Sequence, residues 1–143
     1  MSSCSYISPW FWISETGREL RGDPEAQTVA MYLLTCQSAN VIGLFHLPLA
    51  TMAKEIGFTT EAAALALHRV CEIGLAKWDE TAEVVWVSGV VAGRIIKKPF
   101  KATGPGGKKA ANAAYSSVPS NRFLGEFFDE CSELFCLDSR RDS

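Results

Sequence analysis

One stretch of this sequence is basic and free of acidic side chains. Between Val84 and Gly125 there is no aspartate or glutamate, although the stretch contains Arg94, Lys97, Lys98, Lys101, Lys108, Lys109 and Arg122. The whole chain has 14 basic and 16 acidic residues, so the remainder has seven basic and sixteen acidic groups, a balance of −9. Phosphate responds to local charge rather than to net charge. The segment is therefore a candidate phosphate-binding surface, and a solvated linker is the alternative interpretation.

A second set of candidates lies on the helix that is predicted over residues 59–74. Three of its outward residues suit contacts with base edges: Thr60, His68 and Arg69. Lys77, on the strand that follows, is a further candidate. DNA-reading helices usually present Arg, Lys, Asn or Gln, because these side chains form bidentate hydrogen bonds with bases. The same helix presents Glu61 and Glu72, whose carboxylates repel phosphate. A surface that faces solvent or a protein partner is the favoured alternative for this helix.

The sequence gives little sign of catalytic chemistry. The segment TGPGGKKA begins at Thr103, but a nucleotide-binding P-loop requires glycine and serine or threonine where Ala102 and Lys109 stand. Neither of the two histidines, His46 and His68, lies in a nucleophile, paired-carboxylate or metal-binding motif. We predict a non-enzymatic protein that uses no cofactor and no metal.

Composition and cysteine spacing indicate a globular protein in a reducing compartment. Five cysteines without CxxC spacing favour free thiols in a cytoplasmic protein over a disulfide framework or a zinc site. The amino terminus, MSSCSYISPWFW, lacks a basic region and a sustained apolar run, so it does not resemble a signal peptide. Glycine, proline and polar residues interrupt the apolar stretches, so no membrane span is expected.

The elements that would position these residues follow a defined order. They are a helix from Pro24 capped by Asp23, a strand at 43–46, a helix from Pro48 to Gly57, a helix at 59–74, and a hairpin of 75–78 and 84–87. This is the order of a winged helix-turn-helix, in which Gly57 permits positive φ at the turn and the hairpin is the wing. We predict a mostly α fold with a small β wing and a C-terminal helical extension. In hairpin registers whose paired residue numbers sum to an even value, Trp78 and Trp86 share a face and pack together.

The chain divides into three predicted parts. Residues 1–92 form the winged domain, residues 93–119 form a basic connector with a short helix at 108–115, and residues 120–143 form an amphipathic helix with a frayed tail. Ser120 is the expected cap of that helix, and its aromatic stripe packs either on its own domain or on a second subunit. The first part begins with aromatic residues that are expected to pack on the domain: Tyr6, Trp10, Phe11 and Trp12.

Four segments carry a family resemblance that covers most of residues 6–128. They are YISPWFWISETGREL, YLLTCQSANVIGLFHLPLATMAKEIGF, ALHRVCEIGLAKWDETAEVVWV and GPGGKKAANAAYSSVPSNRFLGEFF. These segments resemble the N-terminal winged-helix domains of phage and prophage replication proteins, which are broadly similar to primosomal replication-initiation domains. The resemblance implies a winged helix that binds DNA during replication initiation or recruits the replication machinery. Because 143 residues leave no room for a helicase-loading or ATPase domain, we expect a small accessory or regulatory protein.

We therefore predict a non-enzymatic, cytoplasmic protein of phage or prophage type that binds double-stranded DNA in replication initiation. The residues expected to contact the DNA groove are Thr60, His68 and Arg69. The residues expected to contact DNA phosphates are Lys77, Arg94, Lys97, Lys98, Lys101, Lys108 and Lys109. One alternative is an interaction module that binds replication proteins or another partner, or forms a homo-oligomer through its C-terminal helix. A transcription regulator is the third possibility.

Overall fold

The computed structural model describes residues 6–36, 39–94, 96–97 and 104–143, with the backbone alone described at Tyr6, Ile96 and Lys97. The helices are a 3₁₀ helix (Pro9–Ile13), α1 (Glu15–Glu19), α2 (Pro24–Thr35), α3 (Leu49–Ile56), α4 (Thr60–Glu72), α5 (Gly89–Ala92), α6 (Gly104–Ser117) and α7 (Leu124–Phe135). The strands are β1 (Tyr6–Ile7), β2 (Leu44–His46), β3 (Ala76–Asp79), β4 (Val84–Val87) and β5 (Ile96–Lys97). The predicted helix-rich chain with a small β-sheet is confirmed.

The main sheet has three antiparallel strands in the order β2-β4-β3, and β1 pairs with β5 separately. In the β3–β4 hairpin, Lys77 pairs with Trp86 and Trp78 pairs with Val85. The paired residue numbers therefore have an odd sum, and neighbouring side chains alternate between the two faces of the sheet. Trp78 and Trp86 lie on opposite faces, so the expected contact between them is wrong for this register.

Helices α2, α3 and α4 cover one face of the sheet and form the first core with it. Val29 and Leu33 of α2 and Leu67 of α4 are buried together with Val85 of β4, because apolar residues three or four apart share one side of a helix. The local signals that delimit these helices are confirmed. The Asp23 carboxylate accepts a hydrogen bond from the backbone N–H of Ala26 at 3.0 Å, and Gly57 has a φ of 79°.

Helices α6 and α7 cover the opposite face and form a second, aromatic core. The Trp86 ring contacts the Phe127 ring edge-on at a centroid distance of 5.3 Å, and Phe127 stacks on Tyr115 at 5.9 Å and on Phe135 at 6.0 Å. The C-terminal aromatic stripe thus packs on its own chain, which was one of the two alternatives. Because helices lie on both faces, all four residues of β4 are buried.

The boundaries of the C-terminal helices differ from the prediction. Helix α6 covers 14 residues, six more than the stretch predicted at 108–115. Helix α7 starts at Leu124, and Ser120 does not cap it. Instead, the side-chain oxygen of Asn121 accepts a hydrogen bond from the backbone N–H of Phe123 at 2.8 Å, since an Asx side chain can bond to a backbone N–H two residues further on.

The aromatic residues near the amino terminus divide between core and surface. Phe11 is buried at 1% exposure, whereas Trp10 is 68% and Trp12 is 62% exposed. The expectation that all of them pack on the domain is therefore correct for Phe11 and wrong for Trp10. Trp12 contacts the Phe11 ring edge-on at 5.0 Å but is mostly exposed, and the side chain of Tyr6 lies outside the described residues. The 3₁₀ helix begins at Pro9, where proline presets φ and Ser8 caps the first turn, and its three-residue repeat directs Trp10 away from the buried Phe11.

Candidate nucleic-acid interface

A surface cleft lies between α4 and the β3 strand, and it brings together two of the residues singled out from sequence. Its volume is about 500 Å³, and His68 of α4 and Lys77 of β3 both line it. Arg122, from the segment that leads into α7, lines the same cleft. Three basic or titratable side chains from three separate elements therefore face one opening.

Carboxylates of this chain already contact two of these side chains. The imidazole Nε2 of His68 lies 3.1 Å from Glu72 Oε1, and Lys77 Nζ lies 3.0 Å from Glu126 Oε1 of α7. The Lys77 ammonium also lies over the Trp86 ring, 4.7 Å from its centroid. Both contacts are well exposed, and exposed contacts of this kind contribute only about 0–1 kcal/mol. A phosphate can compete for the Lys77 ammonium or the His68 imidazole, but it must displace a glutamate to do so.

Arg69 is paired at the partly exposed surface with the acidic cap of α2 and an acidic residue of its first turn. Its Nε lies 2.7 Å from Asp23 Oδ2, its Nη2 lies 3.0 Å from Asp23 Oδ1, and Nη2 is 3.5 Å from Glu25. The hydrogen bonds from Arg69, followed by the one from the Ala26 N–H, hold the pKa of Asp23 below its usual value. The same pair raises the pKa of Arg69. In this arrangement the guanidinium joins α4 to the start of α2 while the side chain stays 39% exposed.

Thr60 and Arg94 occupy exposed positions. Thr60 is the first residue of α4, and the preceding Thr59 provides the cap by accepting a hydrogen bond from the Ala62 N–H at 3.1 Å. The Thr60 hydroxyl is thus not used as the cap. Arg94 Nη1 lies 3.8 Å from Glu15 Oε2 of α1, a long and exposed contact that salt would weaken.

The predicted phosphate contacts of the basic segment are partly within the described structure. Lys98, Lys101 and the side chain of Lys97 lie outside the described residues, and the backbone of Lys97 pairs with Tyr6 in the β1–β5 ladder. Lys108 and Lys109 are exposed near the start of α6, and neither forms an ion pair within the described part of the chain. The first turn of α6 has no acidic residue, so its positive dipole end and both lysines reinforce each other.

Sequence reasoning missed the residue that connects the cleft to the C-terminal helices. Asp79, 5% exposed, accepts backbone hydrogen bonds from Ala82 at 3.1 Å and from Arg122 at 2.9 Å. Burial alone would raise the Asp79 pKa, but these N–H groups and the Arg122 charge lower it overall. An aspartate at the start of a turn is a local signal for the Ala82 contact, whereas no local pattern predicts the contact with Arg122.

Metal-ligating groups and a cysteine are also relevant to the chemistry of this cleft. The described residues contain no group of three or more histidine, cysteine or acidic residues that could hold a metal ion. Burial raises the pKa of the Cys71 thiol, which lines the cleft, to about 11, so it stays protonated and weakly nucleophilic at neutral pH. Among these same residues, no helix has both the length and the apolar character needed to cross a membrane.

Comparisons with known proteins identify no family for this chain. No family model matches the chain, and no curated protein and no solved structure is significantly similar to it.

Proposed function

We propose that this chain is a winged-helix protein that binds double-stranded DNA without catalysis, in replication initiation of a phage or prophage. The order of elements supports the winged-helix assignment. Helix α3 ends at Ile56, α4 begins after a three-residue turn that starts with Gly57, and the β3–β4 hairpin follows α4 and pairs with β2 through β4. In a winged helix, α4 would be the recognition helix and the hairpin would be the wing.

The separation of charge along the chain carries the DNA-binding proposal. No carboxylate occurs between Val84 and Gly125, and Lys108 and Lys109 in this segment are exposed without an ion pair in the described structure. Arg94, at the start of the segment, makes only a long, exposed contact at 3.8 Å. Lysines in such a setting attract phosphate and release counterions when they bind it.

The same contacts define the mode of binding that we propose. The basic side chains of α4 are engaged by carboxylates, because Arg69 pairs with Asp23 and His68 lies beside Glu72. Base readout by α4 is therefore minor, and most of the affinity comes from phosphate contacts made by the connector and α6. The protein would bind random and origin-like duplexes with similar affinities, since phosphate contacts carry no sequence information.

A salt series tests the proposal quantitatively. We assume five phosphate contacts, from Lys97, Lys98, Lys101, Lys108 and Lys109. The affinity for DNA should then fall about 500-fold when the salt concentration rises from about 50 mM to about 200 mM. Replacing Lys97, Lys98 and Lys101 by alanine leaves two contacts and reduces this factor to about tenfold. Fluorescence anisotropy with a labelled duplex measures both values.

A double variant serves as the control for the loss of charge itself. Lys54→Ala with Arg140→Ala removes two exposed cations outside the basic segment, and it should leave the salt dependence unchanged. The variant Lys108→Ala with Lys109→Ala removes the same number of charges from α6 and should reduce the slope by about two contacts. Binding that does not change with salt, or equal effects of the two double variants, would contradict the proposal.

A protein-interaction module is the second candidate function. It is favoured by one observation: the α4 surface pairs its own cations and exposes Leu65 at 63%, which suits a protein partner better than a polyanion. Under this alternative, the chain would show no salt-dependent binding of duplex DNA. Leu65→Asp would then release a partner, such as a replication protein, without any effect on DNA.

A further inference from the structure

The large hydrophobic side chains that the described structure leaves exposed are concentrated in two places. Four belong to the amino-terminal turn, two border a groove between the β-hairpin and α7, and one, Leu65, stands alone on α4. Solitary exposed hydrophobic residues are common, but clustered ones usually mark a contact surface. We name the first cluster the Trp knob; it consists of Ile7, Trp10, Trp12 and Ile13, with exposures of 39%, 68%, 62% and 53%.

The backbone that carries the Trp knob is held by capping hydrogen bonds and close packing on α1. Ser14 caps α1 by accepting a hydrogen bond from the Gly17 N–H at 3.1 Å, and its hydroxyl donates to the Phe11 carbonyl at 2.6 Å. A Cβ on Gly17 would lie 2.0 Å from the Phe11 carbonyl oxygen, which shows how closely α1 packs on the 3₁₀ helix. An indole offers up to about 250 Å² of surface, so Trp10 and Trp12 together leave roughly 300 Å² in water. A preorganised apolar surface loses little entropy on binding.

The second surface is the groove between the hairpin, α5 and α7, which we name the hairpin–α7 groove. Its volume is about 540 Å³, and Trp86, Val90, Cys131 and Leu134 form apolar parts of its wall. Val90 and Leu134 at its border are 72% and 61% exposed. A mostly apolar cleft of this size is typical of sites that accept an aromatic side chain.

Each surface carries a charge of opposite sign that is unpaired within the described residues, although α1 also contains Glu15 and Glu19 and Lys77 lines the groove. At the Trp knob, Arg18 Nε donates to the Ile13 carbonyl at 3.1 Å, and Arg21 Nη2 donates to the Trp12 carbonyl at 2.9 Å. Neither guanidinium forms an ion pair within the described structure. In the groove, Lys77 is paired with Glu126, whereas Glu130 lines the wall without an ion-pair partner among the described residues.

We propose that these two surfaces bind each other between two copies of the chain, so that the Trp knob of one copy enters the hairpin–α7 groove of another. Within one copy both surfaces face solvent, so the contact requires a second molecule. The indoles cover the apolar wall, and Arg18 or Arg21 meets Glu130 at the edge. Because the two surfaces differ, each copy offers one of each, and repeated contacts produce a ring or an open chain unless two copies bind reciprocally. This inference does not rest on DNA binding.

Sedimentation velocity tests the proposal over concentrations from about 1 μM to about 1 mM, the range of weak protein contacts. The wild-type chain should associate as its concentration rises. The knob variant, Trp10→Ala with Trp12→Ala, and the groove variant, Glu130→Arg with Leu134→Ala, should each raise the dissociation constant at least about tenfold. Leu65→Ala, the matched loss of an exposed leucine elsewhere, should have no effect.

Mixing the two variants gives the decisive result. The knob variant keeps an intact groove and the groove variant keeps an intact knob, so an equimolar mixture should form a 1:1 complex although each variant alone is monomeric. A wild-type chain that stays monomeric throughout overturns the proposal. A mixture that stays monomeric while the wild type associates overturns it too, because the association then uses other surfaces. All the substituted side chains are exposed, and circular dichroism of each variant should match that of the wild type if the fold is kept.

Discussion

The contact between Asp23 and Arg69 gives Arg69 a role in stability, whereas the sequence pattern predicted a DNA contact for the same residue. Substitutions at Asp23 and Arg69 distinguish the two roles. The Asp23 carboxylate caps α2 through the Ala26 N–H and forms two hydrogen bonds with Arg69. Removing an N-cap costs about 1 kcal/mol. A partly exposed bidentate pair, with side chains 29% and 39% exposed, adds about 0.5–1 kcal/mol.

Two substitutions at Asp23 separate these contributions. Asp23→Ala removes both and should lower the free energy of unfolding by about 2 kcal/mol, which corresponds to a midpoint lower by roughly 6 °C for a chain of this size. Asp23→Asn keeps the cap, because asparagine caps helices as well as aspartate does, and should cost only about 0.5–1 kcal/mol. Urea denaturation at neutral pH measures both values.

A double-mutant cycle then isolates the pair. Arg69→Met keeps the aliphatic part of the side chain and removes the charge; combined with Asp23→Asn, it should show a coupling energy of about 0.5–1 kcal/mol. The DNA affinity of the Arg69→Met variant should stay within about twofold of wild type, because its guanidinium faces α2. Additive effects without coupling would refute the energetic reasoning. A loss of affinity corresponding to about 1–3 kcal/mol, as expected for a base contact, would refute the structural role.

Two further predictions concern the amino-terminal turn and the hairpin. Gly17→Ala should destabilise the protein by at least about 2 kcal/mol, since the new Cβ would lie 2.0 Å from the Phe11 carbonyl oxygen. Gly106→Ala in α6 places its Cβ in open space, so it should be neutral or stabilising by up to about 1 kcal/mol. Thermal melts compare the two variants. Asp79→Asn should cost about 1–3 kcal/mol at neutral pH. Because the pKa of Asp79 lies below 3.8, this difference from wild type is present above that pH and disappears as the pH falls through the folded pKa; urea titrations across this range measure it.

Local sequence signals predicted the elements well, because the interactions behind them span only a few residues. The cap at Asp23 acts on a residue three positions away, and Gly57 ends α3 through its own φ. Two β-rich runs around a polar turn predicted the hairpin. They did not predict its register, because the pairing of Trp78 with Val85 depends on which faces of the sheet the rest of the chain covers.

The apolar strand β4 contained information that the sequence analysis left unused. Its residues VVWV do not alternate with polar ones, and a continuous apolar run is typical of a strand that is buried on both faces. That pattern alone indicates a second layer over the sheet, which α6 and α7 provide. The candidate site was harder to predict, because Arg69 and Asp23 are 46 residues apart, and Lys77 and Glu126 are 49 residues apart; sequence spacing gives no sign of either pair.

The C-terminal layer also bears on where the proposed phosphate binding would take place, because it adds a carboxylate to the cleft. Packing of Phe127 against Trp86 brings α7 beside β3, and this places the Glu126 carboxylate 3.0 Å from Lys77. A phosphate that reached Lys77 would gain one charge-assisted hydrogen bond and lose an ion pair of similar strength, while Glu126 would then repel it. The exposed lysines of α6 have no such competitor in the described structure. Burial of the sheet on both faces thus weakens the cleft as an anion site and leaves the acid-free segment as the stronger one.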